Sequence, residues 1–275
     1  MANGLSFPQD LPAVIADALG DAVPRSERVG SGAMTIHEFA PRDDWPLQAL
    51  LIDPNPSASP VADEIGRLSW IGARLPVPQM VCSASLSDGR QAAVLKYPVG
   101  SPASAPENRV DPQHSVRKAA RALRMVHRTD PDDISDRGFD NRLDVLLPAI
   151  EERVAGGRFD MAQLSGPYQR FEPARLVEML HEGRPEELHG AFGHGSFGLH
   201  AVLLDNPDEP GGEVTGITDW ARAGTADPYL DLASGARSVA SVFGAELLPT
   251  FFDEYGLAHP DPLRLDYYGL LIEFL

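Results

Sequence analysis

Residues 192–233 constrain the fold of this chain more than any other stretch. A loop framed by glycines, Phe-Gly-His-Gly-Ser-Phe-Gly, leads into the apolar run 201–204. A polar turn at 205–212 follows, and a second short strand at 213–218 ends at Asp219. Short apolar runs separated by turn-forming residues are typical of a β-hairpin. The pattern therefore predicts a hairpin with polar groups at both ends, which suits a site for a charged ligand.

The same stretch resembles the catalytic core of the aminoglycoside phosphotransferases, and the 3'-phosphotransferases most closely. In that family a His-Gly-Asp loop is followed after four residues by an Asn, then a strand, a metal-binding Asp, an Arg, a Gly and an Ala-Asp…Asp tail. The positions that match in order and spacing are Asp219, Arg222, Gly224, Asp227 and Asp231. Because many positions agree at fixed intervals, the resemblance is specific.

The resemblance covers residues 30–275 and implies an α+β, protein-kinase-like, bilobal fold. We expect a small N-terminal lobe at 1–99, with an antiparallel sheet and one helix. We expect a larger, mainly helical C-terminal lobe at 100–275 that includes the catalytic-loop hairpin. The Pro-rich stretch 101–112 should be a mobile connection. Members of the family move the γ-phosphoryl group of ATP or GTP to a drug hydroxyl with the help of Mg²⁺.

Several positions depart from the family pattern. Ser196 stands where the family has its catalytic Asp, and Ala201 stands where it has the Asn that binds metal. Leu51 takes the position of the phosphate-gripping lysine, and no Lys or Arg lies between residues 44 and 66. Of the catalytic groups, Arg222 is kept. The resemblance therefore implies a kinase-like scaffold whose phosphoryl transfer is impaired, with Asp219 as its remaining metal position.

The resemblance also implies a nucleotide site, formed by Gly30, Ser31, Gly32, Leu51, Glu64 and Lys96. Two close glycines in a hairpin turn let backbone N–H groups approach phosphates. Glu64 lies on a predicted helix at 63–75, and its usual partner is the missing lysine. An unpaired buried carboxylate is costly. Glu64 should therefore point to water, pair with Arg67, or be protonated.

On the acceptor side, the resemblance implies a site with few acids. Asp160, Glu273 and the terminal carboxylate of Leu275 are the acceptor-binding candidates. The family has further acids near residues 165–167, where this chain has Ser-Gly-Pro, and at Ile272. A polycationic drug should therefore bind less well than in the family.

Two other arrangements remain open around the glycine-framed loop. Ser196, His200 and Asp219 could form a nucleophilic triad, but only geometry decides whether such residues meet. His194 could instead join His200 and Asp219 around a metal ion, although three dispersed ligands are a weak metal signature. More ordinary roles are a packed histidine at 194, a helix cap at Asp227 and, one helical turn on, an Asp231 that braces the loop.

The remaining elements follow from periodicity. We expect strands at 45–52, 80–86 and 91–97 and a hairpin at 29–39. Helices are expected over residues 13–19, 113–128, 140–156 and 173–182 and through the tail at 234–275. His127 ends one of them and should be a packed or capping residue.

Composition narrows the partners and the compartment. The net charge of −17 argues against nucleic acid as a partner and would favour a cationic small-molecule ligand, although an acidic surface also serves solubility by itself. No apolar run of about 18 residues is present, so no membrane span is expected. One cysteine, Cys82, and an N-terminus unlike a signal peptide predict a cytoplasmic protein.

Three functions remain open at this stage. The first is a pseudokinase-like protein that acts by binding a nucleotide or a small cationic metabolite. The second is an active phosphotransferase for an aminoglycoside or another small hydroxyl compound, with Mg²⁺ and ATP or GTP as cofactors. The third is different chemistry in the old kinase cleft. An inactive protein would need no cofactor.

Overall fold

The computed structural model of this chain describes residues 8, 10–39, 48–131, 138–160, 162, 164–188, 190–205 and 213–275. The chain divides into two compact units. The N-terminal unit contains Met1–Asp111 and His200–Arg222, and the C-terminal unit contains Pro112–Leu199 and Ala223–Leu275. The lobe boundary at residue 99 stays a prediction. The hairpin segment groups with the N-terminal unit, whereas the sequence placed it in the second lobe.

Within the described residues, the N-terminal unit contains a five-stranded antiparallel sheet with the order β1-β2-β3-β5-β4. Its strands are β1 Pro24–Val29, β2 Thr35–Phe39, β3 Gln48–Ile52, β4 Gln79–Ser85 and β5 Gln91–Lys96. The predicted hairpin at 29–39 and the strands at 80–86 and 91–97 are confirmed. The predicted strand at 45–52 is confirmed from residue 48, and its first three residues lie outside the described ones.

Alternation along the strands builds the core of this unit. Helix α1, Ala13–Leu19, places Ile15 and Leu19 against one face of the sheet. That face contributes every second residue of β3 and β5, including Leu50 and Val94. Full burial of one such side chain stabilises the fold by about 1.5–3 kcal/mol. Helix α2, Pro60–Ile71, follows β3 in the chain and carries Glu64 among its buried residues.

A second sheet in the same unit carries the predicted hairpin. Strands β8, Val202–Leu204, and β9, Val214–Ile217, pair antiparallel as expected. Residues 206–212 of the predicted turn lie outside the described ones. Ser101–Pro102 adds a short strand, which completes the order β6-β8-β9. The stretch expected to be mobile thus contains regular structure, because Asn108 Nδ2 donates hydrogen bonds to the carbonyl oxygens of Ser101 and Pro102.

The C-terminal unit is mainly helical, as predicted. Its helices are α3 Pro112–His127, α4 Leu143–Ala155, α5 Pro173–Glu182, α6 Tyr229–Phe243, α7 Leu248–Tyr255 and α8 Pro262–Leu271. Two short strands, β7 Ala191–Gly193 and β10 Gly224–Ala226, pair antiparallel. Across the described part of the chain, no helix has the length and apolar character that a membrane crossing requires.

Close backbone packing beside β10 predicts a measurable cost for one added methyl group. A Cβ at Gly224 would lie 2.6 Å from the carbonyl oxygen of Phe139. We expect Gly224→Ala to lower the free energy of unfolding in urea by about 1–3 kcal/mol, because backbone atoms cannot move aside cheaply. Gly166→Ala is the matched control, because the described residues leave its Cβ no neighbour within 4 Å. Equal costs for both variants would contradict this packing.

Candidate functional site

Asp219 is delivered by the end of β9 in a fixed backbone turn. Its φ angle is 65°, a left-handed conformation that Asp adopts more readily than most residues. Thr218 N donates to the carbonyl oxygen of Ala201 at 2.9 Å, and Trp220 Nε1 donates to the carbonyl oxygen of Ile217 at 2.7 Å. These hydrogen bonds hold the residues on both sides of Asp219. Only 4% of the Asp219 side chain is exposed.

Arg28 binds the carboxylate of Asp219 with both of its terminal nitrogens. Nη1 lies 3.2 Å from Oδ2, and Nη2 lies 3.2 Å from Oδ1. Arg28 Nε also donates to Glu38 Oε1 at 3.1 Å. Burial opposes the charge of the guanidinium, yet the nearby carboxylate of Asp219 raises the pKa of Arg28 above its usual value. The site therefore contains a permanent cation.

Arg28 was not among the residues predicted from the sequence, because a cation was expected only near the family's lysine position. The available signal was the alternation of residues 24–29, in which every second residue faces inward. Leu51 occupies β3 and is 1% exposed, so an apolar side chain fills the position that the resemblance gives to lysine. A role for Leu51 in nucleotide binding stays a prediction.

Of the three environments predicted for Glu64, which were contact with water, pairing with Arg67 and protonation, the structure favours protonation. Burial and the charge of Asp219 raise the pKa of Glu64 to about 8, despite hydrogen bonds from the backbone N–H groups of Trp220 and Ala221. The carboxyl group is therefore mostly protonated at neutral pH. Its Oε2 atom has no hydrogen-bond partner among the described residues. Arg67 pairs instead with Asp63, at 3.2 Å.

The predicted phosphate turn and Lys96, another candidate for nucleotide binding, also lie in the N-terminal unit. The turn between β1 and β2 includes a short 3₁₀ helix, Ser31–Ala33, and Gly30 N donates to the carbonyl oxygen of Met34 at 2.9 Å. Gly32 has a φ angle of 68°, which explains the need for glycine there. Lys96 is half-buried at the end of β5. Nucleotide binding by these residues stays a prediction.

In the C-terminal unit, Asp231 braces the glycine-framed loop, as predicted. Its Oδ2 accepts the backbone N–H of His194 at 2.6 Å, and its Oδ1 accepts that of Gly195 at 2.8 Å. Nε2 of His127 lies 3.1 Å from Oδ2, so this histidine is a packed residue. Burial opposes ionisation, but the hydrogen bond from His127 holds the pKa of Asp231 below its usual value. Ser196 follows this fixed segment, with its Oγ 3.5 Å from His194 Nδ1.

The nucleophilic triad and the metal site that the sequence left open would each join residues of both units. Within the described residues, no group of three or more His, Cys, Asp or Glu side chains is placed to hold a metal ion. The metal arrangement of His194, His200 and Asp219 stays a prediction, because His194 belongs to the C-terminal unit and the other two residues belong to the N-terminal unit. His200 Nε2 lies 3.6 Å from Asp219 Oδ2. The triad stays untested, because Ser196 belongs to the other unit.

The acceptor-binding candidates differ in how accessible their carboxylates are. Glu273 is buried and accepts hydrogen bonds from Ser165 N at 2.6 Å and Ser165 Oγ at 2.7 Å. Arg237 Nη2 also lies 2.6 Å from this carboxylate. The internal bonds therefore occupy Glu273, whereas Asp160 is exposed. Acceptor binding by these acids and by Leu275 stays a prediction.

Arg222, the family arginine that this chain keeps, is half-buried in the turn after the Asp219 segment. Asp227, at the other end of that segment, accepts the backbone N–H of Tyr229 at 2.9 Å, at the start of α6. Asp227 thus binds an N–H group at the start of α6 from the position before its N-cap, Pro228. A catalytic role for Arg222 or Ser196 stays a prediction.

This chain is similar to known phosphotransferases in both sequence and structure. Residues 42–268 match the family profile described as "Phosphotransferase enzyme family". The chain is 30% identical over 231 residues to an aminoglycoside 3'-phosphotransferase of Streptomyces fradiae, covering 80% of this chain and 82% of the relative. Its structure is similar to that of an aminoglycoside 3'-phosphotransferase of type VIII, with a TM-score of 0.79 and 26% identity over 95% of this chain and 96% of the other.

The similarity to a more distant solved structure supports the fold only. An aminoglycoside phosphotransferase from Streptomyces rimosus, in complex with ADP and streptomycin, gives a TM-score of 0.73 with 19% identity, covering 95% of this chain and 96% of that one. The predicted α+β, protein-kinase-like fold is confirmed by these similarities.

The raised pKa of Glu64 predicts a pH-dependent difference between the protein and its Glu64→Gln variant. The folded state binds the Glu64 proton more tightly than the unfolded state, where the pKa is about 4.5. The stability of the natural protein should therefore fall as the pH rises from about 4.5 to 8. Glutamine does not titrate, so Glu64→Gln should gain on the order of 3 kcal/mol relative to the natural protein between pH 5 and pH 9.

Chemical denaturation at these two pH values measures the gain. Glu178→Gln on α5 is the control, because its side chain is 64% exposed and should give the same small change at both pH values. A Glu64→Gln effect that does not depend on pH would show that this carboxyl group titrates normally.

Asp231→Asn tests the brace of the loop. The amide of asparagine brings N–H donors toward the backbone N–H groups of His194 and Gly195, which leaves a buried donor without an acceptor. We expect the free energy of unfolding to fall by about 1–3 kcal/mol. The measurement is urea denaturation at neutral pH, with the exposed Asp253→Asn on α7 as control. A loss no larger than the control's would contradict the bracing role.

Proposed function

This chain belongs to the phosphotransferase enzyme family, with aminoglycoside phosphotransferases among its relatives, and we propose that it keeps their ligand-binding scaffold while transferring phosphoryl groups poorly. It acts by binding a nucleotide or a small cationic metabolite. The observation that carries this proposal is the bidentate contact of Arg28 with Asp219, which engages the carboxylate at the family's metal position.

The chemistry of the other positions supports the same conclusion. Phosphoryl transfer needs a cation on the nucleotide phosphates, metal ions that neutralise charge, and a carboxylate that orients the acceptor hydroxyl. Leu51 and Ala201 offer neither a cation nor a metal ligand. The hydroxyl of Ser196 is a poor base near neutral pH, and loss of a general base reduces rates by about 10²–10⁴. These losses act on one step, so the rate should fall far below that of ordinary kinases.

The ligand class follows from charge and from the relatives. ADP and streptomycin in the Streptomyces rimosus structure support a nucleotide or an aminoglycoside-like molecule as ligand. The net charge of −17 favours the cationic molecule. Near Asp219, the carboxylates of Asp219 and Glu38 face the single guanidinium of Arg28, so a triphosphate should bind weakly. One cysteine, Cys82, fits a reducing compartment and supports a cytoplasmic location.

A second candidate is an active phosphotransferase that uses displaced groups. Arg28 favours it, because this residue supplies a cation beside Asp219 although Leu51 cannot. Such an enzyme would use ATP or GTP with Mg²⁺ and would phosphorylate a hydroxyl group of an aminoglycoside or another small molecule. Arg222 would then keep its family role.

Turnover assays separate the two candidates. We expect ATP or GTP consumption with a panel of aminoglycosides to give a kcat well below the ordinary kinase range of roughly 1–100 s⁻¹. Calorimetric titration with ATP and Mg²⁺ should show weak binding or none. The Leu51→Lys/Ala201→Asn/Ser196→Asp variant restores the family residue types, and its lysine adds a cation for the nucleotide phosphates, so its affinity for ATP should rise whether or not metal binds at Asp219. A kcat of the natural protein within the kinase range would refute the proposal, and an unchanged variant would refute the positional assignments.

A further inference from the structure

The register of the main sheet puts Arg28 on the same face as Leu51. Arg28 pairs across the strands with Ile36, Ile36 pairs with Leu51, and Leu51 pairs with Ala93. Residues directly opposite each other in antiparallel strands point to the same face. Neighbouring strands lie about 4.8 Å apart, so a long side chain on β1 can extend in front of β3. Arg28 therefore places a positive charge on the same sheet face as Leu51, which stands where the resemblance predicts a lysine.

Arg28 is oriented before any ligand arrives. Glu38 lies on the neighbouring strand, where its Oε1 accepts Arg28 Nε at 3.1 Å and its Oε2 accepts Ser26 Oγ at 2.8 Å. This arrangement fixes the plane of the guanidinium and leaves Nη1 and Nη2 directed at Asp219. Arg25, which lies at the register shift of β1 between Pro24 and Ser26, is exposed. The position of Arg28, and not merely its charge, thus determines the contact.

The contact neutralises a carboxylate that is almost fully withdrawn from water. The Asp219 side chain is 4% exposed, whereas that of Arg28 is 31% exposed. A buried carboxylate without a counterion is strongly unfavourable. A bidentate arginine–carboxylate pair is among the strongest charge-assisted hydrogen-bonding arrangements in proteins. The chain itself therefore supplies the positive charge that the Asp219 environment requires.

The residues at this position do not fit Mg²⁺. This ion takes oxygen ligands in near-octahedral geometry. Both carboxylate oxygens of Asp219 accept hydrogen bonds from Arg28, and Ala201 has no side-chain oxygen. In the part of the chain that the structure describes, no cluster of three acidic, His or Cys side chains offers an alternative metal site.

We propose that Arg28 is an internal counterion that takes the place of the divalent cation at Asp219, so that Mg²⁺ and Mn²⁺ are excluded from this position. The inference rests on the proposed function in treating Asp219 as the family's metal position. The ligand of the site is then a molecule that binds without a divalent cation. Two substitutions are then needed before a divalent cation can bind at Asp219. One must remove the guanidinium of Arg28, and the other must add a second oxygen ligand at position 201.

Mn²⁺ alone is the probe, and the loss of its free electron paramagnetic resonance signal measures binding. Ala201→Asn adds an oxygen ligand but keeps Arg28, so it should bind Mn²⁺ no better than the natural protein. Ala201→Asn/Arg28→Gln releases Asp219 and should bind at least about tenfold more tightly. A further Asp219→Asn change should abolish that gain, which separates the site from weak binding to the acidic surface. Ala201→Asn/Arg25→Gln is the matched control and should behave like Ala201→Asn.

Each outcome decides for or against the counterion. Saturable Mn²⁺ binding by the natural protein that Asp219→Asn abolishes would overturn the proposal, because the arginine would then yield to metal. A folded Ala201→Asn/Arg28→Gln protein with no gain over its Arg25→Gln control would overturn it as well. Because the assay contains no nucleotide or acceptor, its result is independent of the turnover measurement that tests the proposed function.

The Arg28→Lys variant keeps the proposal testable if the Arg28→Gln protein does not fold. Arg28→Lys keeps the positive charge beside Asp219 and Glu38, and circular dichroism reports whether it folds. A lysine ammonium cannot hold both carboxylate oxygens as a guanidinium does. With Ala201→Asn it should therefore show a gain between those of the Ala201→Asn and Ala201→Asn/Arg28→Gln proteins. No gain over the Arg25→Gln control would again contradict the proposal.

Discussion

The ion pair between Arg28 and Asp219 is the interaction on which the charge balance of the N-terminal unit depends. Asp219 is buried in a left-handed turn, where its carboxylate needs a positive partner. Arg28 supplies this charge and is held by Glu38 on the next strand. Burial raises the pKa of Glu64, and the nearby negative charge of Asp219 raises it further, so Glu64 keeps its proton at neutral pH. The pair thus contributes to the ionisation state of its neighbour.

The C-terminal unit also stabilises a buried carboxylate, but with different hydrogen-bond donors. Asp231 is also buried, but its partners are two backbone N–H groups and His127 rather than an arginine. These hydrogen bonds stabilise its charged form and fix the loop that carries Ser196. The backbone of the loop is thus held from within the C-terminal unit, and this does not depend on which side chain stands at position 196.

Much of the fold could be predicted because it follows from local patterns. Alternation gave the strands at 80–86 and 91–97, and helical periodicity gave α3 and α5. The short strand Ser101–Pro102 was missed, because a two-residue strand has no period and depends on its partner β8. The site was predicted less completely. Asp219 and the bracing role of Asp231 followed from spacing, whereas Arg28 lies 191 residues from Asp219 and no local pattern connects them.

The sequence by itself determined which residue types stand at positions 51, 196 and 201, and the resemblance to the family predicts that these are its catalytic positions. It also limited Glu64 to three alternatives, because a carboxylate without a cation has few stable environments. Only the tertiary structure decided among them. Burial, strand register and the distance from Arg28 to Asp219 are properties of the packed chain, and they determine which charges persist and which carboxyl group keeps its proton.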